Sequence, residues 1–294
     1  MAEPKVTIGE MENAPEWWGK TYDEIDFEWS KEEELELQRY CEKIIQNAEE
    51  EEMTPMERFN ATWQGKDKDR LHIEVKYNVP YAVRTLDSFA DAIKPGDLYQ
   101  WPKLHIKGHL ATAARFKLDI INVYVIYYTE GMWGGRTRMI DYGTPQLLGE
   151  PPIKTMEDLE AVAVPDPKKH GLYPGYLWTL KELKRIMKKY GADKVMPVEY
   201  SFCGDPLGNV FLAMTGFNEG IIMVRRNPEL FRACMEKMTD WTIRFGEAVK
   251  ETDPDGIYMC SFMGCFPPKM RDVDTSFIID LYAKIGKTLS AGEG

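Results

Sequence analysis

The chain has 294 residues, 44% of them hydrophobic, and a mean hydropathy of −0.43, as in ordinary water-soluble proteins with a full apolar core. No window approaches the roughly 18 apolar residues of a membrane helix, and the N-terminus lacks the pattern of a secretory signal. The five cysteines are scattered and odd in number, which indicates free thiols in a reducing compartment. We therefore expect a cytoplasmic protein with no membrane partner.

The negative charge is concentrated at the N-terminus. Residues 1–55 contain 17 acidic and 5 basic residues, whereas the remainder contains 31 acidic and 32 basic residues. An acidic extension repels phosphate, so nucleic acid is not an expected partner. We divide the chain into an acidic N-terminal extension with one helix, 1–53, and a main domain, 54–294.

The extension combines an aromatic cluster with a helix. Ser30 and Glu33 form a capping box that predicts a helix from Ser30 to about Glu52, with glutamates facing water. Large aromatic side chains precede it, and we expect them to pack on the main domain or on a second subunit, as in a homodimer. The cluster consists of Trp17, Trp18, Tyr22, Phe27 and Trp29. The buried helix face is expected to comprise Leu37, Cys41, Ile44 and Ala48.

Strand and helix patterns alternate through the main domain. Apolar runs predict strands near 71–75, 119–126, 195–201 and 256–261. Amphipathic patterns predict helices near 54–64, 177–191, 218–226, 227–251 and 276–285. Such alternation is typical of a parallel α/β architecture.

Polar residues follow the apolar run 195–198. Glu199, Tyr200, Cys203 and Asp205 lie in a predicted turn, and in α/β folds the segment after a strand carries the chemistry. Asp205 followed by Pro206 is equally typical of a helix N-cap and first helical residue. Glu199 is the stronger candidate, because a carboxylate at the mouth of a buried strand is costly without a partner or a function.

Two histidines, His105 and His109, share one helical face at i, i+4 spacing. That spacing suits a zinc pair, but the intervening residues lack the glutamate of a metalloprotease. We favour two half-buried structural histidines.

Longer patterns resemble the uroporphyrinogen decarboxylase superfamily, which includes corrinoid-dependent methyltransferases. The resemblance covers about 54–285. The segments that carry it are TPMERFNATWQGKDKDR, PPIKTMEDLEAVAVPDP, PVEYSFCGDPLGNVFLAMTGFNEGIIMVRRNPELF and DPDGIYM. It implies a (β/α)8 TIM barrel preceded by the N-terminal helical extension. It also implies that this barrel is incomplete at its C-terminal end.

The sequence departs from both branches of the superfamily. The arginine-rich segment with which decarboxylases grip a tetrapyrrole is replaced by VKYNVPYAVRTL, whose only arginine is Arg84. The zinc-binding His-x-Cys pair of the methyltransferases is absent, since none of the four histidines is followed by x-Cys.

The resemblance implies a methyltransferase that moves a methyl group between a corrinoid protein and a thiol or folate acceptor, with zinc as a second cofactor. The alternatives are a decarboxylase, or a non-catalytic relative that binds a corrinoid or a tetrapyrrole. The catalytic candidates are Glu74, Glu199 and Asp205, and the binding candidates are Tyr124, Tyr200 and Cys203. Cys260 is the metal-ligand candidate. We expect these residues to surround one cavity at the C-terminal ends of the strands.

Overall fold

The computed structural model describes residues 4–74, 100–125, 130–141, 146–202, 205–259 and 276–290. The strands are β1 (Met11–Glu12), β2 (Ile121–Val125), β3 (Arg136–Arg138), β4 (Gln146–Leu148), β5 (Val198–Phe202) and β6 (Gly256–Met259). The helices are α1 (Lys31–Glu49), α2 (Pro55–Trp63), α3 (Pro102–Phe116), α4 (Met156–Ala161), α5 (Tyr173–Tyr190), α6 (Pro206–Asn209), α7 (Phe217–Arg226), α8 (Pro228–Lys250) and α9 (Ser276–Ser290). A π-helical turn, Val210–Met214, continues α6.

Helix ends follow local sequence signals. Ser30 and Glu33 form the capping box of α1, and Thr54 and Glu57 form that of α2. Gly191 ends α5 in the left-handed region, at φ +80°, which a residue with a Cβ adopts only with strain. The predicted helices are therefore confirmed, with ends that differ by a few residues.

The central sheet is parallel, with strand order β2-β5-β6. Three of the four predicted strands are thus neighbours in one parallel sheet, as expected. The predicted strand at 71–75 is wrong for its described residues, Leu71 to Glu74, which form no strand. The Ile73 N–H, a donor that a strand would need, instead donates to the Asp119 carboxylate over 2.8 Å. Val75 lies outside the described residues.

The strand β5 begins later than the apolar run does. Val195 and Met196 donate their backbone N–H groups to the Ala192 carbonyl, at 3.2 and 3.0 Å, and so complete a helical turn. Pro197 has no N–H to donate. The strand therefore starts at Val198, and Glu199 and Tyr200 lie within it. The strand predicted near 195–201 therefore contains them, and their assignment to the turn after residue 198 is wrong.

The N-terminal extension packs on the helices around the sheet. Trp17 is 4% exposed, and its Nε1 donates to the Gln100 carbonyl over 2.7 Å. Phe27 meets Trp178 of α5 edge to face, with ring centroids 4.9 Å apart. The predicted face of α1 is buried, but Glu36, expected in water, is only 8% exposed. The aromatic cluster thus packs within this chain. The domain boundary near 53 and the incomplete C-terminal end stay predictions.

A second, smaller sheet lies beside this framework. It has strand order β1-β3-β4, with β1 parallel and β4 antiparallel to β3. In the part of the chain that the structure describes, no single helix has the length and apolar content to cross a membrane. One pair bent by 113°, Pro206–Met214 with Phe217–Arg226, meets these criteria by length and composition only.

Candidate functional site

A buried asparagine connects two carboxylates at the central sheet. Asn122 Nδ2 donates to Glu74 Oε1 and to Glu199 Oε2, each over 2.8 Å. Asn122 is fully buried and Glu199 is 4% exposed, whereas Glu74 is exposed. We call Glu74, Asn122 and Glu199 the amide-carboxylate cluster. Its side chains are buried at the sheet and exposed to solvent at Glu74. It contains two of the three catalytic candidates. Asn122 and Glu199 are the second residues of β2 and β5, so the cluster lies toward the N-terminal ends of these strands and not at their C-terminal ends as expected.

The register of the sheet sets this geometry. Asn122 of β2 is paired with Glu199 of β5, which in turn is paired with Gly256 of β6. A Cβ on Gly256 would lie 3.5 Å from the Glu199 Cγ and 3.3 Å from the ring of Phe59. Because Gly256 has no side chain, the Glu199 side chain and the Phe59 ring of α2 can both lie close to its backbone.

His72, two residues before Glu74 in the sequence, packs against Phe59 of α2. The pKa of His72 is lowered, chiefly because burial disfavours the charged ring, although the charges of Asp119 and Glu74 oppose this shift. His72 also lies 5.8 Å from Phe59, centroid to centroid. Phe59 therefore lies between His72 on one side and Gly256 on the other.

Tyr200 lies on the other face of the sheet. Its ring meets Tyr176 of α5 and Phe245 of α8 edge to face, with centroids 5.8 Å apart in both pairs. These contacts direct Tyr200 into the layer between the sheet and its outer helices. The structure does not bring it to Glu199. Successive side chains of a strand point to opposite faces of the sheet. Glu199, the neighbour of Tyr200 in β5, therefore faces away from these helices.

Asp205 caps a helix. Its Oδ1 accepts the Gly208 N–H over 2.8 Å, and its Oδ2 accepts the hydroxyl of Tyr282 in α9. The N-cap interpretation is therefore confirmed, and a carboxylate so used links α6 to α9.

The remaining candidates are only partly described. Tyr124 is in β2, paired with Ser201 and two residues beyond Asn122. Cys203 and Cys260 lie outside the described residues. Within the described ranges, no group of three or more His, Cys, Asp or Glu side chains is arranged to hold a metal ion. Because the candidate ligand Cys260 is not among these residues, the expected zinc stays a prediction.

His105 and His109 are fully buried, not half-buried as expected. Their rings lie 4.7 Å apart within α3. Burial lowers the pKa of His105 to about 3, and burial together with the neighbouring His105 holds the pKa of His109 well below its usual range. Both rings are therefore neutral near pH 7.

An ion-pair network lies at the N-terminal end of the sheet. Arg58 of α2 is fully buried and donates to Asp119, just before β2, and to Asp69 and Glu51, over 2.5 to 2.8 Å. Arg70 also donates to Asp119 and Glu51. In barrels of parallel strands this end serves stability, so we assign the network to the fold.

Sequence reasoning missed Asn122, His72, Phe59 and Gly256. Only Asn122 gave a signal: it is an amide inside the otherwise apolar run DIINVYVI. A buried amide needs hydrogen-bond partners, and its position in a buried strand indicated that some other polar group reaches it.

Comparisons with known proteins agree with this architecture. The family model described as Uroporphyrinogen decarboxylase (URO-D) matches residues 54–271. A solved methyltransferase from Methanosarcina mazei has a similar structure, with a TM-score of 0.64 and 17% sequence identity. The match covers 81% of this chain and 68% of that one. No curated protein matches the chain.

Proposed function

The chain belongs to the uroporphyrinogen decarboxylase family, whose fold is a TIM barrel, and we propose that it is a methyltransferase of corrinoid-linked one-carbon metabolism. Its methyl donor would be the corrinoid of a partner protein, and its acceptor a thiol or a folate. A methyltransferase with a similar fold, at 17% sequence identity, makes this activity a candidate. The single arginine of VKYNVPYAVRTL also supports it, because several propionates would need several cationic partners.

Glu199 would take up the proton that the acceptor releases. A thiol acceptor gains a carbon–sulfur bond and loses its S–H proton, so a carboxylate near the sulfur speeds the reaction by general base catalysis. The bound corrinoid would supply the methyl group. Asn122 would be a positioning residue, because its hydrogen bond holds the Glu199 carboxylate in one orientation. Glu74 would hold the other N–H of the same amide.

The observation that carries this proposal is the placement of Glu199. It is nearly buried, hydrogen-bonded to Asn122, and on the sheet face opposite the helix-facing Tyr200. In a TIM barrel the face opposite the outer helices is the barrel interior, which branched apolar residues usually fill. A buried amide and carboxylate at that face favour a binding cavity over packing alone.

The test is methyl transfer by the purified full chain, with methylcobalamin as the donor and a panel of thiols and a reduced folate as acceptors. Glu199→Gln preserves the shape of the side chain and removes the base, so we expect transfer to fall by about 100-fold or more. Glu247→Gln changes an exposed glutamate of α8 and serves as the matched control. If Glu199→Gln transfers methyl groups at the wild-type rate, Glu199 is not the general base. No transfer to any acceptor would reject the proposed activity.

Zinc, with Cys260 as a ligand, remains part of this proposal on the strength of the resemblance. Elemental analysis of the purified full chain and of Cys260→Ser measures it directly. Equal zinc content in both proteins would remove Cys260 from the ligand set.

A further inference from the structure

A cavity lies between the N-terminal extension and one face of α5, and we call it the extension cavity. Its volume is about 320 Å³, at the lower end of the roughly 300–1,000 Å³ of small-molecule sites. One wall is the turn at 22–25 of the extension. The other wall includes Trp178 and Lys181, which lie on the same face of α5 because they are three residues apart. The extension cavity therefore has the size of a site for a small organic molecule.

Part of the lining of the extension cavity is aromatic and apolar. Tyr22 and Trp178 contribute rings, and Ile25, which is 6% exposed, contributes an aliphatic side chain. Trp178 meets Phe27 edge to face, with ring centroids 4.9 Å apart. The backbone N–H of Tyr22 donates to the Lys168 carbonyl over 2.8 Å. Because these contacts position both rings, the apolar part of a ligand would meet a preformed surface.

The four charged side chains described in this lining divide into one ion pair and two single charges. Arg185 donates to both carboxylate oxygens of Glu182, over 2.6 and 2.7 Å, so these two charges compensate each other. Lys181 lies over the ring of Tyr22, with its Nζ 5.5 Å from the ring centroid. Within the described ranges, neither Lys181 nor Asp23 has an oppositely charged group within 4.0 Å. One cation and one carboxylate thus line the extension cavity without an ion-pair partner among the described residues.

A ligand that matches these groups has a carboxylate, an ammonium and an apolar body. The Lys181 ammonium has three N–H donors for a carboxylate, and the Asp23 carboxylate accepts the N–H groups of an ammonium. Because the two charges have opposite signs, a ligand that carries only one charge complements only one of them. A free α-amino acid carries both charges, and an apolar side chain on it would cover the rings of Tyr22 and Trp178.

We propose that the extension cavity binds a free α-amino acid with an apolar side chain. Lys181 would contact its carboxylate and Asp23 its ammonium, while Tyr22, Ile25 and Trp178 would contact its side chain. The extension cavity is formed by the N-terminal extension and α5, and none of the described residues of its lining belongs to the central sheet. Binding therefore requires no corrinoid and no methyl transfer.

The test measures binding to the full chain by titration calorimetry, with L-phenylalanine as the probe. 3-Phenylpropionate lacks the ammonium and phenethylamine lacks the carboxylate, whereas both keep the apolar part of the probe. We expect saturable binding of phenylalanine and about threefold weaker binding, or less, of each analogue, because each loses one exposed ion pair. No binding of phenylalanine, or equally tight binding of either analogue, would overturn the proposal.

Two variants at exposed positions assign each ligand group to one residue. Lys181→Gln should weaken phenylalanine binding by about threefold or more but should not weaken phenethylamine binding, since that ligand has no carboxylate. Asp23→Asn should weaken phenylalanine binding by a similar factor but should not weaken 3-phenylpropionate binding. Lys188→Gln, which changes another exposed lysine of α5, is the matched control and should bind as the wild type does.

Phenylalanine binding that is unchanged in both Lys181→Gln and Asp23→Asn would overturn the proposal. Equal weakening of all three ligands by either variant would also overturn it, because a loss of general packing does not distinguish a carboxylate from an ammonium. If a variant does not fold, the comparison of the three ligands on the wild type decides.

Discussion

Asn122 and Glu199 are paired across neighbouring parallel strands, and the Asn122 amide donates to the Glu199 carboxylate over 2.8 Å. Asn122 is a neutral donor between the Glu74 and Glu199 carboxylates. Asn122→Asp would replace this donor by a third acidic group, and the resulting repulsion raises carboxyl pKa values in the folded state. We expect a loss of about 2 kcal/mol or more of unfolding free energy at pH 7.

The sign of the pH dependence checks this mechanism. A raised folded-state pKa means that the folded Asn122→Asp protein binds more protons than its unfolded chain, so its stability is fully present at low pH and lost as pH rises. Its deficit relative to the wild type should therefore shrink between pH 7 and pH 5 in urea denaturation. Gln46→Glu adds the same charge at an exposed position of α1 and should show no such trend. If the loss of unfolding free energy in Asn122→Asp does not change with pH, repulsion between carboxylates is not its cause.

Arg58 is predicted to stabilise the fold more than any exposed cation does. Arg58→Met would leave Asp69, Asp119 and Glu51 without the buried guanidinium that they share, and losing one partner of a buried ion pair costs about 3–5 kcal/mol. Arg185→Met removes an exposed arginine paired with Glu182, which should cost less than about 1 kcal/mol. Chemical denaturation of both variants measures the difference. Similar losses would show that the network adds little.

We predict that Trp17 stabilises the protein by packing the N-terminal extension against α5. A Cβ on Gly175 would lie 2.7 Å from the Trp17 ring, so this ring packs directly against the helix backbone. Trp17→Ala should lower the unfolding free energy by about 3 kcal/mol, as for other buried aromatic side chains. Trp63→Ala is the control, because Trp63 is 71% exposed. An equal effect of the two substitutions would contradict the packing role of Trp17.

His105 is predicted to destabilise the protein in acid. Its folded-state pKa of about 3 lies below its ordinary value of 6.5, so between these limits the unfolded chain binds a proton that the folded chain does not. Stability is then present above about pH 6.5 and falls as pH falls, by up to ~1.4 kcal/mol per pH unit. His105→Leu should show a shallower decline between pH 6.5 and pH 5 in urea denaturation. A decline as steep as that of the wild type would contradict the assignment.

Much of the fold could be predicted because its signals are local. The capping boxes at Ser30 and Thr54 and the apolar faces of α1, α5 and α8 involve residues a few positions apart, whose contacts the helix geometry fixes. The parallel sheet followed from the alternation of strands and helices, and three of the four predicted strands are neighbours in it.

The amide-carboxylate cluster could not be predicted in the same way. The prediction that Glu199 and Glu74 lie close together was correct. Asn122, which is hydrogen-bonded to both, lies 77 residues from Glu199 and 48 residues from Glu74 along the chain. Only the register of β2 and β5 brings these groups together, and that register depends on where Pro197 and the Ala192 turn allow β5 to begin. The sequence by itself determined the elements and the residue types available for chemistry. The tertiary structure alone decided that Tyr200 faces the helices and that Asp205 also accepts the Tyr282 hydroxyl, because those contacts join segments that the sequence separates.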